Sequence, residues 1–188
     1  MKKQYALVFD LRRCIGCRTC VIACRVENKL DGEYSWMSLP TGSGTLADLP
    51  QGKFPNLSLY WQPATCMHCQ KPSCLEACPD NAIYKRPDGI VLIDREKCTG
   101  CQLCLPACPY GVIQFNNQEK VAEKCTLCSH RIERGLLPFC AKECIWGAIH
   151  FGDINDPQSE VSRLISSRKG YVLKPEEGAQ PSNRYLAP

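Results

Sequence analysis

The chain has 188 residues, 16 of them cysteine, with 23 Lys and Arg against 19 Asp and Glu. Cysteine at that density governs the reading, and a formal balance of +4 is too small to argue for nucleic acid or an anionic membrane surface. Ordinary apolar content excludes disorder, and no apolar run approaches the roughly 18 residues of a membrane-spanning helix.

Taken in chain order, Met1-Lys2-Lys3 is basic, but the apolar stretch Tyr5–Phe9 ends at Asp10, and Arg12-Arg13 runs straight into Cys14. No export signal is expected within the chain, and Tyr5–Phe9 reads as a first β-strand. Residues 31–65 form an inserted loop. Within it, Gly42-Ser43-Gly44 lacks the Lys-Ser/Thr of a phosphate loop and reads as flexible surface. Leu57–Trp61 alternates enough to predict a strand. Asp88-Gly89 marks a hairpin turn before the strand Ile90–Ile93. Further on, Asp156-Pro157 reads as an N-cap followed by proline at the first helical position. Val161, Leu164 and Ile165 mark one face of a short helix ending near Gly170. From Lys174 on, Pro and Gly indicate an extended arm, lying over the body or over a partner. Tyr5, Phe9, Ile83, Ile113, Ile149 and Phe151 are the expected core positions of strands. Trp36, Trp61 and Trp146 are expected to shield the cysteine sites or to join the core.

The cysteines fall into four groups of four with none left over. Cys14, Cys17, Cys20 and Cys24 form the first, and Cys66, Cys69, Cys74 and Cys78 the second, with Pro79 after it. Cys98, Cys101, Cys104 and Cys108 form the third, followed by Pro109. Cys125, Cys128, Cys140 and Cys144 form the fourth. The third group has the C-x2-C-x2-C-x3-C-P run of bacterial ferredoxins, whose fourth cysteine serves the other cluster. Disulfides do not explain repeated x2 spacings, because such close neighbours are poorly placed to bridge each other. Structural zinc uses ligand pairs separated by longer stretches, commonly with histidine, and only three histidines are present. Iron–sulfur ligation by four [4Fe-4S] clusters uses every cysteine. His68, inside Cys66-Met67-His68-Cys69, is not needed as a ligand.

Cys78-Pro-Asp-Asn-Ala-Ile83 leaves the second group as Cys108-Pro-Tyr-Gly-Val-Ile113 leaves the third, an internal repeat. The outer groups carry the same halves split apart. Val8-Phe9-Asp10 precedes the first group as Leu92-Ile93-Asp94 precedes the third, and Ile149 leaves the fourth as Ile83 leaves the second. The expected fold is α+β. Two interleaved bacterial ferredoxin-like units, each with two [4Fe-4S] clusters, are combined, the inner inserted in the outer. Residues 1–30 plus 118–152 make the outer unit and 66–117 the inner. Residues 153–188 make a C-terminal helix and a partner-docking arm. Cysteine exchange between paired groups then predicts four ligand sets: Cys14, Cys17, Cys20 and Cys144; Cys24, Cys125, Cys128 and Cys140; Cys66, Cys69, Cys74 and Cys108; Cys78, Cys98, Cys101 and Cys104. The clusters should lie in a row or shallow zigzag.

An oxidised cubane with its four thiolates carries about −2, so four would bring the chain to about −4. Arg12, Arg13, Arg18, Arg25, Lys97 and Lys124 lie beside the cysteines in sequence and would favour the reduced form. No nucleophile–base set, paired acids, Rossmann loop or Walker loop is visible. Every quartet is complete, so no iron is left open for a substrate. The expectation is an electron conductor with no direct small-molecule substrate and no nucleic-acid partner.

At these residues the chain resembles the four-cluster iron–sulfur subunit of the dimethyl sulfoxide reductase family of molybdenum or tungsten oxidoreductases. The likeness covers nearly the whole chain. It includes Cys14–Cys24 with Glu27-Asn28, Cys66-Met-His-Cys69, Asp88–Val91, and Cys98-Thr-Gly-Cys101 through Gly111. It is most specific at Lys124-Cys125-Thr-Leu-Cys128-Ser-His130-Arg131 through Asp153, and extends to Tyr171–Glu176 and Pro181. The resemblance implies electron relay between a Mo/W-bis-pterin catalytic subunit and a quinone-reactive membrane subunit or cytochrome, in anaerobic respiration. It implies a membrane-associated complex, periplasmic by co-export with a signal-bearing partner, the alternative being cytoplasmic. Cys101 stands where the nitrate reductase branch has tryptophan, which disfavours that branch. The other reading is a polyferredoxin-type electron subunit of a tungsten aldehyde oxidoreductase or a hydrogenase.

Overall fold

A computed structural model of the chain describes residues 2–30 and 34–188. Met1 and the opening of the expected inserted loop at 31–33 lie outside the described residues. The elements run β1 (Tyr5–Asp10), α1 (Thr19–Glu27), β2 (Met37–Ser38), β3 (Gln51–Lys53), β4 (Asn56–Ser58), β5 (Ala64–Thr65) and α2 (Ser73–Glu76). They continue with β6 (Ile83–Lys85), β7 (Val91–Ile93), α3 (Cys104–Ala107), β8 (Gln114–Asn116), β9 (Val121–Glu123), α4 (Ser129–Ile132) and α5 (Phe139–Lys142). Last come β10 (Ile149–Asp153), α6 (Glu160–Ser167), a 3-10 turn at Pro175–Glu177 and β11 (Arg184–Leu186). Short helices and small sheets thus alternate, a mixed architecture of the ferredoxin type.

Most of the small ladders connect one cysteine group to the next. β6 pairs antiparallel with β7 between the second and third groups, and β8 with β9 between the third and fourth. β2 pairs with β5 between the first and second. β1, before the first group, pairs with β10, after the fourth. The ladders β1–β10 and β6–β7 share a register: Phe9 faces Ile149 as Ile93 faces Ile83. Asp10 N–H donates to the Ala148 carbonyl, and Asp94 N–H to that of Ala82, both at 2.8 Å.

Two apolar clusters follow this pattern. One contains Leu7, Phe9, Leu11, Ile149 and Tyr185 with Cys20, Cys24 and Cys140; the other contains Ile83, Val91, Ile113 and Ala122 with Cys74 and Cys104. Tyr5 and Phe151 are half-buried and pack on each other, ring centroids 5.1 Å apart.

Several local expectations are corrected. The strand near Leu57 is the exposed hairpin β3–β4, while Trp61 makes only an isolated bridge to Thr41. Helix α6 is capped by Ser159, whose side chain accepts from Ser162 N–H, and not by Asp156. Asp156 instead forms a turn, its carboxylate accepting from Gln158 N–H at 2.9 Å. Trp146 is 55% exposed, so it belongs neither to the core nor to a shield within this chain. The tail is built into the body. β11 pairs parallel with β1, and Ser182, Asn183, Tyr185 and Leu186 are fully buried.

Candidate metal centres

Fourteen of the cysteines are buried or half-buried; Cys17 and Cys101 are exposed. Helices α1, α2, α3 and α5 present Cys20 and Cys24, Cys74, Cys104 and Cys140 respectively. The remaining cysteines sit on loops before or after these helices.

Those loops share a backbone device. In every group the residue before the second cysteine is left-handed: Gly16 (φ 71), His68 (φ 43), Gly100 (φ 76) and Leu127 (φ 55). A left-handed residue in such a turn directs successive N–H groups to one side, forming a concavity suited to an anion. Leu127 N–H accordingly donates to Cys125 Sγ at 3.3 Å; after the fourth group, beyond the left-handed Gly147 (φ 56), Ala148 N–H donates to Cys144 Sγ at 3.2 Å. Glycine takes this conformation freely; His68 and Leu127 take it at a local cost of roughly 1 kcal/mol.

The thiols gather in fours. Cys66, Cys69, Cys74 and Cys108 line a cavity of about 350 Å³. Cys24, Cys125, Cys128 and Cys140 line one of about 300 Å³. Cys78, Cys98, Cys101 and Cys104 line a third, of about 310 Å³. Cys14, Cys17, Cys20 and Cys144 press on one another electrostatically. Burial pushes the Cys20 thiol up to about 12, with Cys14, Cys144 and Cys17 adding to it. Burial likewise takes Cys69 and Cys74 to about 12, with Cys66 and Cys108 contributing to both. Cys104 rises to about 11 through burial, beside Cys98, Cys101 and Cys78.

Electrostatic influences also link one quartet to the next. Cys20 acts on Cys24 and Cys140, Cys66 on Cys125, and Cys104 on Cys74.

The donor set fits iron–sulfur clusters. Each quartet offers four sulfurs, three of the quartets surround mainly apolar cavities, and the loops turn N–H groups inward. The thiols stand around a space instead of converging on a point. Among the described residues no three His, Cys, Asp or Glu side chains meet closely enough to hold a single ion.

His68 is fully buried, and its Nδ1 accepts from Val91 N–H at 3.1 Å. Burial holds its imidazole well below the usual range, with Lys124 and Lys85 adding to the effect. Residues that the cysteine pattern did not single out support the loops. Asn28 donates to the Cys24 carbonyl at 2.8 Å and approaches Cys24 Sγ at 3.7 Å. Asn183 Nδ2 donates to the Cys66 carbonyl at 3.0 Å, and Ser182 Oγ to that of His68 at 2.7 Å. Glu27 ties α1 to α4 through His130 at 2.7 Å and Arg131 at 2.9 Å. In the sequence, Glu27-Asn28 beside the first group and His130-Arg131 beside the fourth stand out only through the family likeness, and Ser182 and Asn183 not at all.

Comparison with known proteins agrees with this chemistry. Residues 57–154 match a family described as a 4Fe-4S dicluster domain, and residues 12–27 one described as a 4Fe-4S binding domain. The chain is 43% identical to a sulfite dehydrogenase subunit of Allochromatium vinosum, over 97% of this chain and 82% of that one. It is 40% identical to a putative dimethyl sulfoxide reductase iron-sulfur subunit of Halobacterium salinarum, over 97% and 79%. It is 37% identical to a tetrathionate reductase subunit of Salmonella typhimurium, over 98% and 73%.

Proposed function

We infer the function from one premise: the chain belongs to the iron–sulfur beta subunits of the dimethyl sulfoxide reductase family of molybdoenzymes. It is an electron-transfer subunit of the 4Fe-4S type. We propose that it binds four [4Fe-4S] clusters, one per thiol quartet. The ligand sets are Cys14, Cys17, Cys20 and Cys144; Cys24, Cys125, Cys128 and Cys140; Cys66, Cys69, Cys74 and Cys108; Cys78, Cys98, Cys101 and Cys104. The observation that carries this is the gathering of all sixteen cysteines into four neighbourhoods of four.

The shared register of β1–β10 and β6–β7 supports two interleaved ferredoxin-like units, residues 66–117 being inserted between 1–30 and 118–152. The links between quartets support a row that begins at the Cys17 set and ends at the Cys101 set. When bound, each cluster supplies one-electron exchange without ligand change. The chain's own residues hold the sites in sequence, exclude water from the inner thiols and leave one thiol exposed at each end of the row. Partners would meet it there. Ile15, Ile145 and Trp146, beside the first set in the chain, are 47%, 68% and 55% exposed, an apolar face suited to a protein partner.

We take one partner to be a molybdenum catalytic subunit; relatives that are subunits of a sulfite dehydrogenase, a dimethyl sulfoxide reductase and a tetrathionate reductase favour that role over the hydrogenase or tungsten aldehyde oxidoreductase reading. We place a quinone-reactive membrane subunit or cytochrome at the other end, in a membrane-associated complex reached by co-export. No helix among the described residues is long and apolar enough to cross a membrane. The exposed part of residues 153–188 would add to the docking surface.

Single substitutions test the sets. Cys74→Ala and Cys108→Ala, distant in the chain, should abolish the same paramagnetic signal and about four iron. Cys20→Ala and Cys24→Ala, on one helix, should abolish different ones. Loss of different signals in the first pair, or of one shared signal in the second, would overturn the assignment.

A further inference from the structure

The fold treats differently the six basic residues named above as lying beside cysteines in the sequence. Arg12 and Arg13 are exposed, and Arg25 is half-buried on α1. Arg18 pairs with Asp48 at 2.9 Å, and Lys97, exposed, pairs with Asp94 at 3.5 Å. Lys124 is 3% exposed. Its ammonium donates to the Val91 carbonyl and, at 3.2 Å, to the Cys125 carbonyl. Among the described residues no carboxylate pairs with it. The adjacent Glu123 carboxylate is held by Arg95 at 2.9 Å and Asn116 at 3.2 Å.

A buried ammonium facing only two carbonyl dipoles is poorly compensated. Compensation is available beside it. Lys124 lines the cavity of Cys66, Cys69, Cys74 and Cys108, and Val91, which it braces, lines the same cavity. The next residue along, Cys125, lines the neighbouring cavity. Four thiolates around an oxidised cubane carry about −2 in total, and reduction adds one further negative charge.

We propose that Lys124 sets the reduction potential of the site formed by Cys66, Cys69, Cys74 and Cys108, raising it relative to its neighbours in the middle of the row. The inference rests on the reading that this quartet holds a cluster. The fixed positive charge stabilises the more negative, reduced state by more than the oxidised one. One electron arrives from an adjacent site, and no bond or proton moves at Lys124. The effect is strongest at this site, weaker at the Cys125 site and weakest at the ends, because the interaction falls with distance.

The test is a redox titration of the intact complex, followed by electron paramagnetic resonance, for the parent, K124R, K124Q and K124M. Cys74→Ala identifies the signal of this site. K124Q keeps a hydrogen-bond donor and loses the charge; K124R keeps both. K124Q and K124M should titrate at lower potential, most at this site and least at the two end sites, and K124R should follow the parent. Parental potentials in K124Q and K124M at full iron content would overturn the proposal. An equal shift at all sites would also overturn it, since that marks general loosening. So would loss of iron in K124Q and K124M but not K124R, which would make Lys124 a residue of cluster loading. A parent complex without iron would instead overturn the cluster reading beneath it.

Discussion

Asn183 offers the sharpest test of how the fold holds its sites. It is fully buried, its Oδ1 accepts from Leu7 N–H at 2.9 Å, and its Nδ2 donates to the Cys66 carbonyl at 3.0 Å. One side chain therefore joins the first strand to the loop of the second cysteine group. Asn183→Ala leaves two buried backbone groups without partners, at about 1–3 kcal/mol each. The combined cost is about 2–6 kcal/mol. Loss of bound metal in denaturant is irreversible, so the quantity to follow is a rate. If both bonds are broken in the unfolding transition state, the lower end of that range accelerates the loss roughly 30-fold. The assay is anaerobic bleaching of the cluster absorbance in guanidinium, with iron content measured beforehand. Asn183→Asp keeps the acceptor for Leu7 but turns an anionic oxygen toward the Cys66 carbonyl, and it should load less iron at the site containing Cys66. A parental bleaching rate and full iron in Asn183→Ala would refute the reasoning.

Further outcomes follow from other parts of the structure. At Gly16 (φ 71) an added Cβ would stand 2.2 Å from Cε2 of Trp61; Gly16→Ala should displace that ring and lower iron at the Cys14 set alone, read as loss of one paramagnetic signal. Removal of metal should leave a largely unfolded chain, because the two larger apolar clusters include cysteines; a cooperative, native-like melt by far-UV circular dichroism would contradict this. Any structure the metal-free chain retains should weaken with rising pH. Burial holds the thiols of Cys20, Cys69 and Cys74 at about 12 in the folded form, so above roughly 8.5 the unfolded chain ionises first and is favoured. A stability that climbs through that range would count against it.

The chemistry was legible in the sequence because cluster ligation is partly local: two or three thiols of each set lie a few residues apart, and their spacing survives as a written pattern. The strand Tyr5–Phe9 and the kinship of Asp10 with Asp94 were legible for a related reason, since both aspartates follow an apolar strand and precede a cysteine loop. What failed to show depends on contacts between distant segments. Ser182 and Asn183 read as arm residues because they are polar, yet their polarity satisfies the Cys66–His68 carbonyls and Leu7 N–H in the interior. In the sequence Lys124 is one of the basic residues beside cysteines, and only the fold shows that it is buried. Asp156 and Ser159 are both good caps, and the choice was decided by where Asp153 accepts from the Ser159 hydroxyl, at 2.7 Å. Alternation at Leu57–Trp61 announced a strand but not its partner or its bounds, because β3 and β4 are largely exposed and carry little apolar signal.

The central claim is that every cysteine serves an iron–sulfur cluster in an electron relay attached to a molybdoenzyme. The most direct measurement is the metal content of the native complex, isolated anaerobically through this chain, with iron, molybdenum, tungsten and zinc quantified together. The account predicts about 16 iron per chain with about one molybdenum or tungsten. Zinc in place of iron would contradict it at all four quartets.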